Sequence, residues 1–575
     1  MNAKTLMIAL AAFAVGGVAH AITSDEIAAA LDTDIANIVS SGDADWVVDS
    51  DVHHKGGASM RSGAITPASN WAYSTLSFVV DVKVASTLDF WVKTSSVANS
   101  HYGALVVTVD NETRYYEGIV DWQKASLVLL PGNHLIKMSF QRYKAYYSSD
   151  WNAGSNCAWL DQFEINPILV DSPKVKVTKI SCKQRTPWNG KIDVDYSIEA
   201  ENDVDVWVFP VAYDKDTDTT MTMKSLEGDG VGAAVRAGDH RMTWTVTDDY
   251  PAFHSTALTV KMTAMIGAKP YMVVDLSGGV DAHSYPVQYF DSIPNGAWSD
   301  EYKKTKMAFK LIPAGSFMMG SPTDEGGRGS YEDQHGVVLT KPFYLGVFEC
   351  TQKQYELIMG ANPVTSSSYK GDMRPVAKMS YDNIRGSVNG AGWPTHNQVD
   401  ADSFMGRLRS KVNMFFDLPT EAQWEYACRA GTGGVFNNGR NYTVDALKEV
   451  ARCSYNSGND SSYPSDKKGG YSYATTVGCY LANAWGLYDM HGNVYELCRD
   501  FWNQGLGFTG VIDPKGAKSS YRYYSSDTDM RRVYRGGSWN QNQACRSAYR
   551  SGYMTYGSTT SDYVGFRVMC SPVAE

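Results

Sequence analysis

Along the first half of the chain, apolar residues tend to fall at every second position. Leu76–Val84, Thr87–Thr94, Leu105–Val109 and His134–Phe140 are strand-length runs. In the last, Ile136, Met138 and Phe140 alternate with Leu135, Lys137 and Ser139, which puts one set on a buried face. Pro131-Gly132-Asn133 predicts a turn before it. Repeated strands with turn punctuation predict an antiparallel, jelly-roll-like β-sandwich over 41–168. Val175, Val177 and Ile180, then Ile192, Val194 and Tyr196, predict a second sandwich of immunoglobulin or fibronectin type over 172–290, with a spacer role. Helical signals are short. Ser24 is the expected cap of a helix in the linker 22–40, and Thr420 the cap of a helix whose buried positions are Ala422, Trp424, Tyr426 and Ala427. The polar segment 292–305, with an Asn295-Gly296 turn, marks the boundary to a last domain, 306–575.

Length and composition refine this picture. A chain of 575 residues is expected to hold three or four domains. Only 20% of residues are charged, against 51 Gly, 36 Tyr and 15 Trp, which favours β-rich exported modules over helical bundles. A net charge of −10 provides no basic field for nucleic acid. Lys4, the apolar run Leu6–Val18 and Ala19-His20-Ala21 read as a signal peptide, 1–21, too short to span a membrane. The mature protein is expected to be secreted, periplasmic or at the cell surface, without a transmembrane segment. Nine cysteines in an exported chain predict disulfides, and an odd count leaves one thiol over. There is no CxxC pair to suggest a zinc ribbon.

Gly42–Trp46, Arg61-Ser62-Gly63, Phe90-Trp91, Val120-Asp121-Trp122 and Ala158–Asp161 together resemble the jelly-roll modules of bacterial exported proteins. The resemblance implies binding of carbohydrate or another surface. Read as residues alone, Trp46, Trp91 and Trp159 are expected in the core.

The last domain carries an ordered motif series: Ile312–Ser321, Phe343–Gln352, Leu418–Tyr426, Trp485–Met490, Gly492–Glu496, Arg535-Gly536-Gly537-Ser538-Trp539 and Gly565-Phe566-Arg567. The series resembles the sulfatase-modifying-factor, or formylglycine-generating-enzyme, family. It implies a C-type-lectin-like α+β fold. Family enzymes oxidise a cysteine of exported sulfatases to formylglycine with oxygen and copper. Their two copper cysteines fall three and eight residues after the serine. Here those positions are Gln541 and Arg546. No two cysteines of the chain stand five apart; the nearest pair, Cys479 and Cys498, is 19 apart. Copper is therefore not expected. Other branches of the family use iron held by an attached helical domain, for which the chain has no counterpart.

Cys545 is the one cysteine near the loop, and only a weak catalytic candidate. Arg546 and Arg550 would have to lower its pKa. Otherwise it belongs to a disulfide with Cys428, Cys498 or Cys570, and the resemblance prefers Cys428–Cys545. The resemblance also implies a Ca²⁺ site at Asp489, Gly492, Val494 and Glu496. The alternative is that Asp489 and Glu496 bind loop amides. A second calcium site, at Asn456 and Asp466, is degenerate. His396 and His491 are expected to be structural. The tyrosines after residue 520, with Arg535, Arg546 and Arg550, form either an adaptable surface for acidic ligands or internal packing and ion pairs. The leading expectation is an exported scaffold that binds a glycan or protein through a groove of Trp539, Asn540, Gln541, Asn542, Arg546 and Tyr549. The alternatives are a formylglycine-generating oxidase with an atypical site and a surface-layer component.

Overall fold

The computed structural model describes residues 22–571 apart from 66–70, 97–102, 111, 144–154, 169–174, 201–205, 218, 222, 224, 232–234, 267–268, 368, 413, 457–472, 506–510, 518–530 and 553–556. The signal peptide at 1–21, Asp466 and the tyrosines Tyr521, Tyr523, Tyr524, Tyr553 and Tyr556 lie outside the described residues. Among the described residues no helix is long and apolar enough to cross a membrane.

The first unit, up to Pro167, is a sandwich of two five-stranded antiparallel sheets. One runs in the order Val39–Gly42, Trp71–Val82, Gly132–Tyr143, Gly103–Val109, Glu112–Glu117. The other runs Val47–Asp49, Ser59–Arg61, Cys157–Pro167, Ser86–Ser95, Ile119–Leu129. Ile136, Met138 and Phe140 all face the core, as the alternation requires. Trp46 is fully buried and Trp159 nearly so, its Nε1 donating to Asp49 at 3.0 Å. Trp91 departs from the expectation: it is half-buried and stacks on His54 at 3.6 Å. The opening helix, Ser24–Ala30, is capped by Thr23 in a reciprocal box with Glu26. Ser24 instead accepts the Ile38 N–H at 2.9 Å.

In the second unit, residues 175–266 form the expected second sandwich. Its sheets run Val175–Gln184, Lys191–Ala200, Gly238–Thr245, Leu226–Gly228 and Thr219–Met221, Val206–Asp214, Leu258–Ile266. Ile192, Val194, Tyr196 and Trp244 fill the core between them. Two strands that precede the expected boundary at 292–305 join the sheet that follows it. Tyr271–Asp275 and Val287–Phe290 belong to the last domain, at one edge of a six-stranded sheet that continues through Lys306–Ile312, Phe343–Gly346, Met569–Ser571 and Phe415–Asp417. Met272 and Val274 pack with Phe309, Phe416 and Leu418, so burial overrides the polar punctuation at 300–305.

The last domain is α+β, with short helices and long connections. Thr351, Ser380 and Thr420 each close a capping box at the start of Gln352–Met359, Tyr381–Arg385 and Glu421–Arg429. A small sheet of Arg550–Ser551, Arg532–Arg535, Tyr495–Phe501 and Val564–Gly565 brings the motif series to one place.

Candidate functional site

The strand Arg532–Arg535 ends in Gly536 and Gly537, with φ of 88° and 73°. Glycine is required here: a Cβ on Gly537 would stand 2.6 Å from the Cys545 sulfur. Beyond the turn, Trp539 donates its backbone N–H to Asn493 O at 2.9 Å, which fixes the loop. The half-buried Trp539 ring lies 6.3 Å from Tyr473, and Tyr473 meets Tyr369 edge-on at 4.0 Å. The Trp539 Nε1 is buried and has no hydrogen-bond partner among the described residues. Arg374 is half-buried nearby; burial, then the charge of Arg452, lowers its pKa, while Tyr473 acts in the opposite sense. Arg452 donates Nε to Tyr473 O at 3.3 Å. Gln541 is exposed, Asn540 and Asn542 partly so, and Asn542 Oδ1 accepts the Tyr455 N–H at 3.3 Å. The loop therefore presents an aromatic ladder flanked by amides. Sequence reasoning missed Tyr369, Tyr473 and Arg374, which stand far from the loop in the chain and carry no motif.

Arg546 does not line this groove. It is fully buried, with Nη1 donating to Glu325 at 2.5 Å and both Nη atoms to Glu332 at 2.7 Å. Arg535 donates to Glu421 at 2.8 Å and Glu425 at 2.7 Å, and Arg550 donates twice to Glu421 at 2.7 Å. The physical cause is helix Glu421–Arg429, which turns Glu421 and Glu425, four residues apart, into the interior. Burial opposes the Glu421 charge, but Arg550 and Arg535 outweigh it and hold its carboxyl below the usual value. These arginines serve the fold and not an acidic ligand. Tyr549 is half-buried and its carbonyl accepts from Arg535 at 3.1 Å.

The cysteine expectations also change. All nine are free thiols in this structure. Burial pushes the Cys545 thiol well above its ordinary pKa, and both arginines meant to activate it are paired elsewhere. Cys428 and Cys545 belong to different core clusters. Cys428 contacts Met490 O and His491 Nε2, both at 3.8 Å, and interacts with the Ser547 side chain. The position facing Cys428 is thus Ser547, two residues after Cys545. Cys498 and Cys570 are buried in the strands Tyr495–Phe501 and Met569–Ser571. His491 is structural: Asn437 donates its N–H to Nε2 at 3.0 Å, leaving Nδ1 to donate to Cys545 O at 2.7 Å. Burial takes its pKa down to about 4. His396 Nδ1 accepts the Gln398 N–H at 3.3 Å.

Asp489 sits in left-handed backbone, φ 57°. Its Oδ2 accepts the Gly478 N–H at 2.6 Å, while its Oδ1 is buried without a partner. Burial raises its carboxyl to about 6, and Glu496 adds to the shift. Glu349, fully buried, accepts from Asn493 Nδ2 at 2.6 Å and Val494 N at 3.1 Å; burial, then Asp489 and Glu496, raise its pKa. Glu496 is held by Arg567 at 2.8 Å and by Trp424 Nε1 at 2.7 Å. The bare Asp489 Oδ1 fits a hard cation; Glu496 is already committed. Among the described residues no group of three or more His, Cys, Asp or Glu is placed to hold a metal, so backbone carbonyls would have to supply most of the shell. At the degenerate second site, Asn456 spends its side chain on Cys453 N at 2.8 Å and Ala451 O at 2.7 Å.

Asp500 is 2% exposed and its Oδ2 accepts the Glu421 N–H at 2.8 Å. Burial, then the Glu421 charge, pushes its carboxyl up from 3.8 to about 7. A carboxyl raised on folding stabilises the fold as the neutral acid. Its contribution is complete below about pH 4 and is lost as pH rises through about 7. Asp500→Asn is therefore expected to gain more over the parent at pH 8 than at pH 5, by roughly 3 kcal/mol. Urea unfolding at the two pH values measures the difference, and an equal effect at both would show that the carboxyl does not titrate in this way.

Residues 296–572 match the model of the sulfatase-modifying factor enzyme 1-like domain. The chaperone protein LppX of Paenibacillus barcinonensis is 31% identical over 197 residues, 30% of this chain and 66% of that protein. The formylglycine-generating enzyme of Thermomonospora curvata is 30% identical over 164 residues, 27% of this chain and 50% of that protein. Among solved structures, Treponema denticola variable protein 1 is 23% identical, with 47% of this chain and 96% of that chain covered and a TM-score of 0.35. The chain thus spans between half and two thirds of the length of these two curated relatives.

Proposed function

We propose that the sulfatase-modifying factor enzyme 1-like domain carried at residues 296–572 is a ligand-binding scaffold of an exported protein, with a glycan as its ligand. The observation that carries this reading is the ladder Tyr369–Tyr473–Trp539 beside the amides of Asn540, Gln541 and Asn542. Aromatic faces stack on the C–H faces of sugar rings, and amides satisfy the hydroxyls at their rims. Arg374 interacts with Tyr473 of the ladder. The N-terminal sandwich supports the same ligand class. Trp71 lies 5.0 Å from Tyr143 and 6.3 Å from Tyr73 on the outer side of its first sheet, and Tyr73 is 39% exposed. An oxidase acting through an atypical site would require an available thiolate, and Cys545 offers a buried thiol.

Trp539→Ala is expected to weaken binding of oligosaccharides at least about tenfold, roughly 1.4 kcal/mol, with an unchanged melting temperature. An oligosaccharide array read with the full chain and the variant measures it. Equal binding by both would remove the ladder from the site.

A calcium ion is proposed at Asp489, using its Oδ1 with the carbonyls of Gly492 and Val494, while Glu496 stays outside the shell with Arg567 and Trp424. It would supply positive charge to a loop rich in buried carboxylates. Added calcium should then raise the melting temperature of the full chain by several degrees, and Asp489→Asn should abolish the rise. An identical response from the variant would exclude Asp489 as a ligand.

A further inference from the structure

Two cysteines that the resemblance does not connect meet beneath the Trp539 loop. Cys453 follows the short strand Ala451–Arg452, which pairs in parallel with His491–Gly492. Cys545 ends the turn Gln543–Cys545. Both are fully buried and share one small core cluster with Phe436, Leu447 and Val450. Hydrogen bonds tie the residues just after Cys453 to those just before Cys545. Ser454 donates its N–H to Gln541 O at 3.1 Å, and Tyr455 donates its own to Asn542 Oδ1 at 3.3 Å. Each cysteine is also anchored locally. Cys453 donates its N–H to Asn456 Oδ1 at 2.8 Å, Cys545 donates its own to Asn542 O at 3.0 Å, and the Cys545 carbonyl accepts from His491. The Cys545 sulfur contacts the carbonyls of Gln541 at 3.6 Å and Ser538 at 3.9 Å, weak partners for a thiol.

We propose that Cys453 and Cys545 are the two halves of a disulfide that staples the 453–456 turn to the floor of the Trp539 loop. The reaction needs a disulfide oxidant such as glutathione disulfide. One cysteine thiolate attacks it and releases one glutathione thiolate. The second cysteine thiolate attacks the mixed disulfide, the Cys453–Cys545 bond forms, and the second glutathione leaves. Two protein thiols are oxidised, their two protons end on two glutathiones, and one glutathione disulfide is reduced. Because both thiols are buried, exchange requires the segments to open, either during folding or by local unfolding. The proposal is independent of the glycan reading: the staple fixes the loop whatever the loop binds.

The test uses the full chain held in glutathione disulfide with urea below its unfolding transition, then denatured and alkylated without reductant. Peptide mapping is expected to find Cys453 linked to Cys545. Reduction is expected to lower the melting temperature by several degrees. Cys453→Ser and Cys545→Ser should each match the reduced parent and ignore reductant. Three results would overturn the proposal: both cysteines alkylated without reduction, Cys545 linked to Cys428 or any other cysteine, or Cu(I) bound by the pair with no linked peptide.

Discussion

Glu421→Ala is expected to destabilise the C-terminal domain by roughly 3–5 kcal/mol. Glu421 is the shared acceptor of two buried guanidinium groups, Arg535 and Arg550. Its removal leaves Arg535 with Glu425 as its remaining anion and strips Arg550 of its ion-pair partner within reach of the apolar core. Uncompensated buried charge costs far more than the pair contributes when intact. Glu421→Gln keeps the shape and one acceptor oxygen, and should cost less than Glu421→Ala. Both variants are measured by urea unfolding at pH 7. A loss below about 1 kcal/mol for Glu421→Ala, the scale of an exposed ion pair, would contradict the buried network.

Arg546→Met should have an effect of the same size, and of a particular kind. Arg546 neutralises two carboxylates, Glu325 and Glu332, that approach it from one side. Burial raises the Glu325 carboxyl even with the arginine present, whereas Arg546 outweighs burial at Glu332 and keeps that carboxyl below its usual value. Without the guanidinium both carboxylates face each other unpaired, at a cost of roughly 3–5 kcal/mol at pH 8. Protonation relieves the repulsion, so the loss should shrink at pH 5. Adding Glu332→Gln to Arg546→Met should recover part of the stability at pH 8. The measurement is urea unfolding of parent, single and double variants at both pH values. A variant with parental stability and lost ligand binding would return Arg546 to the groove.

The contrast between Arg546 and Trp539 shows what was legible in the sequence. Strand alternation at Ile136, Met138 and Phe140 dictated their burial correctly, because a two-residue period leaves only two faces. The motif series marked the last domain, expected at 306–575, and residues 296–572 match its family model; Thr420 capped its helix as expected. Side chains with long reach were not legible. Whether Arg546 turns outward to a ligand or inward to Glu332 depends on a partner 214 residues away. The same holds for Arg535 and Arg550 with Glu421. The family resemblance preferred Cys545 opposite Cys428, but a two-residue offset in a short turn set Ser547 there and Cys545 in the neighbouring cluster. The polar segment at 292–305 likewise did not show that a strand before it pairs with a strand after it. Polar residues at 300–305 cover a tight connection within one sheet, not a linker between domains. Tyr369 and Tyr473 gave no signal because their role arises only where they meet Trp539.

The central claim is that the Gly536-Gly537-Ser538 loop serves binding and not oxidation. Its most direct test is to supply the full chain with Cu(I), oxygen and a Cys-x-Pro-x-Arg peptide, and to follow the peptide by mass spectrometry for conversion of its cysteine to an aldehyde. The expected result is an unmodified peptide cysteine under conditions in which an active formylglycine-generating enzyme converts it. Aldehyde formation that depends on copper and is abolished by Cys545→Ser would contradict the claim and make the loop a catalytic centre.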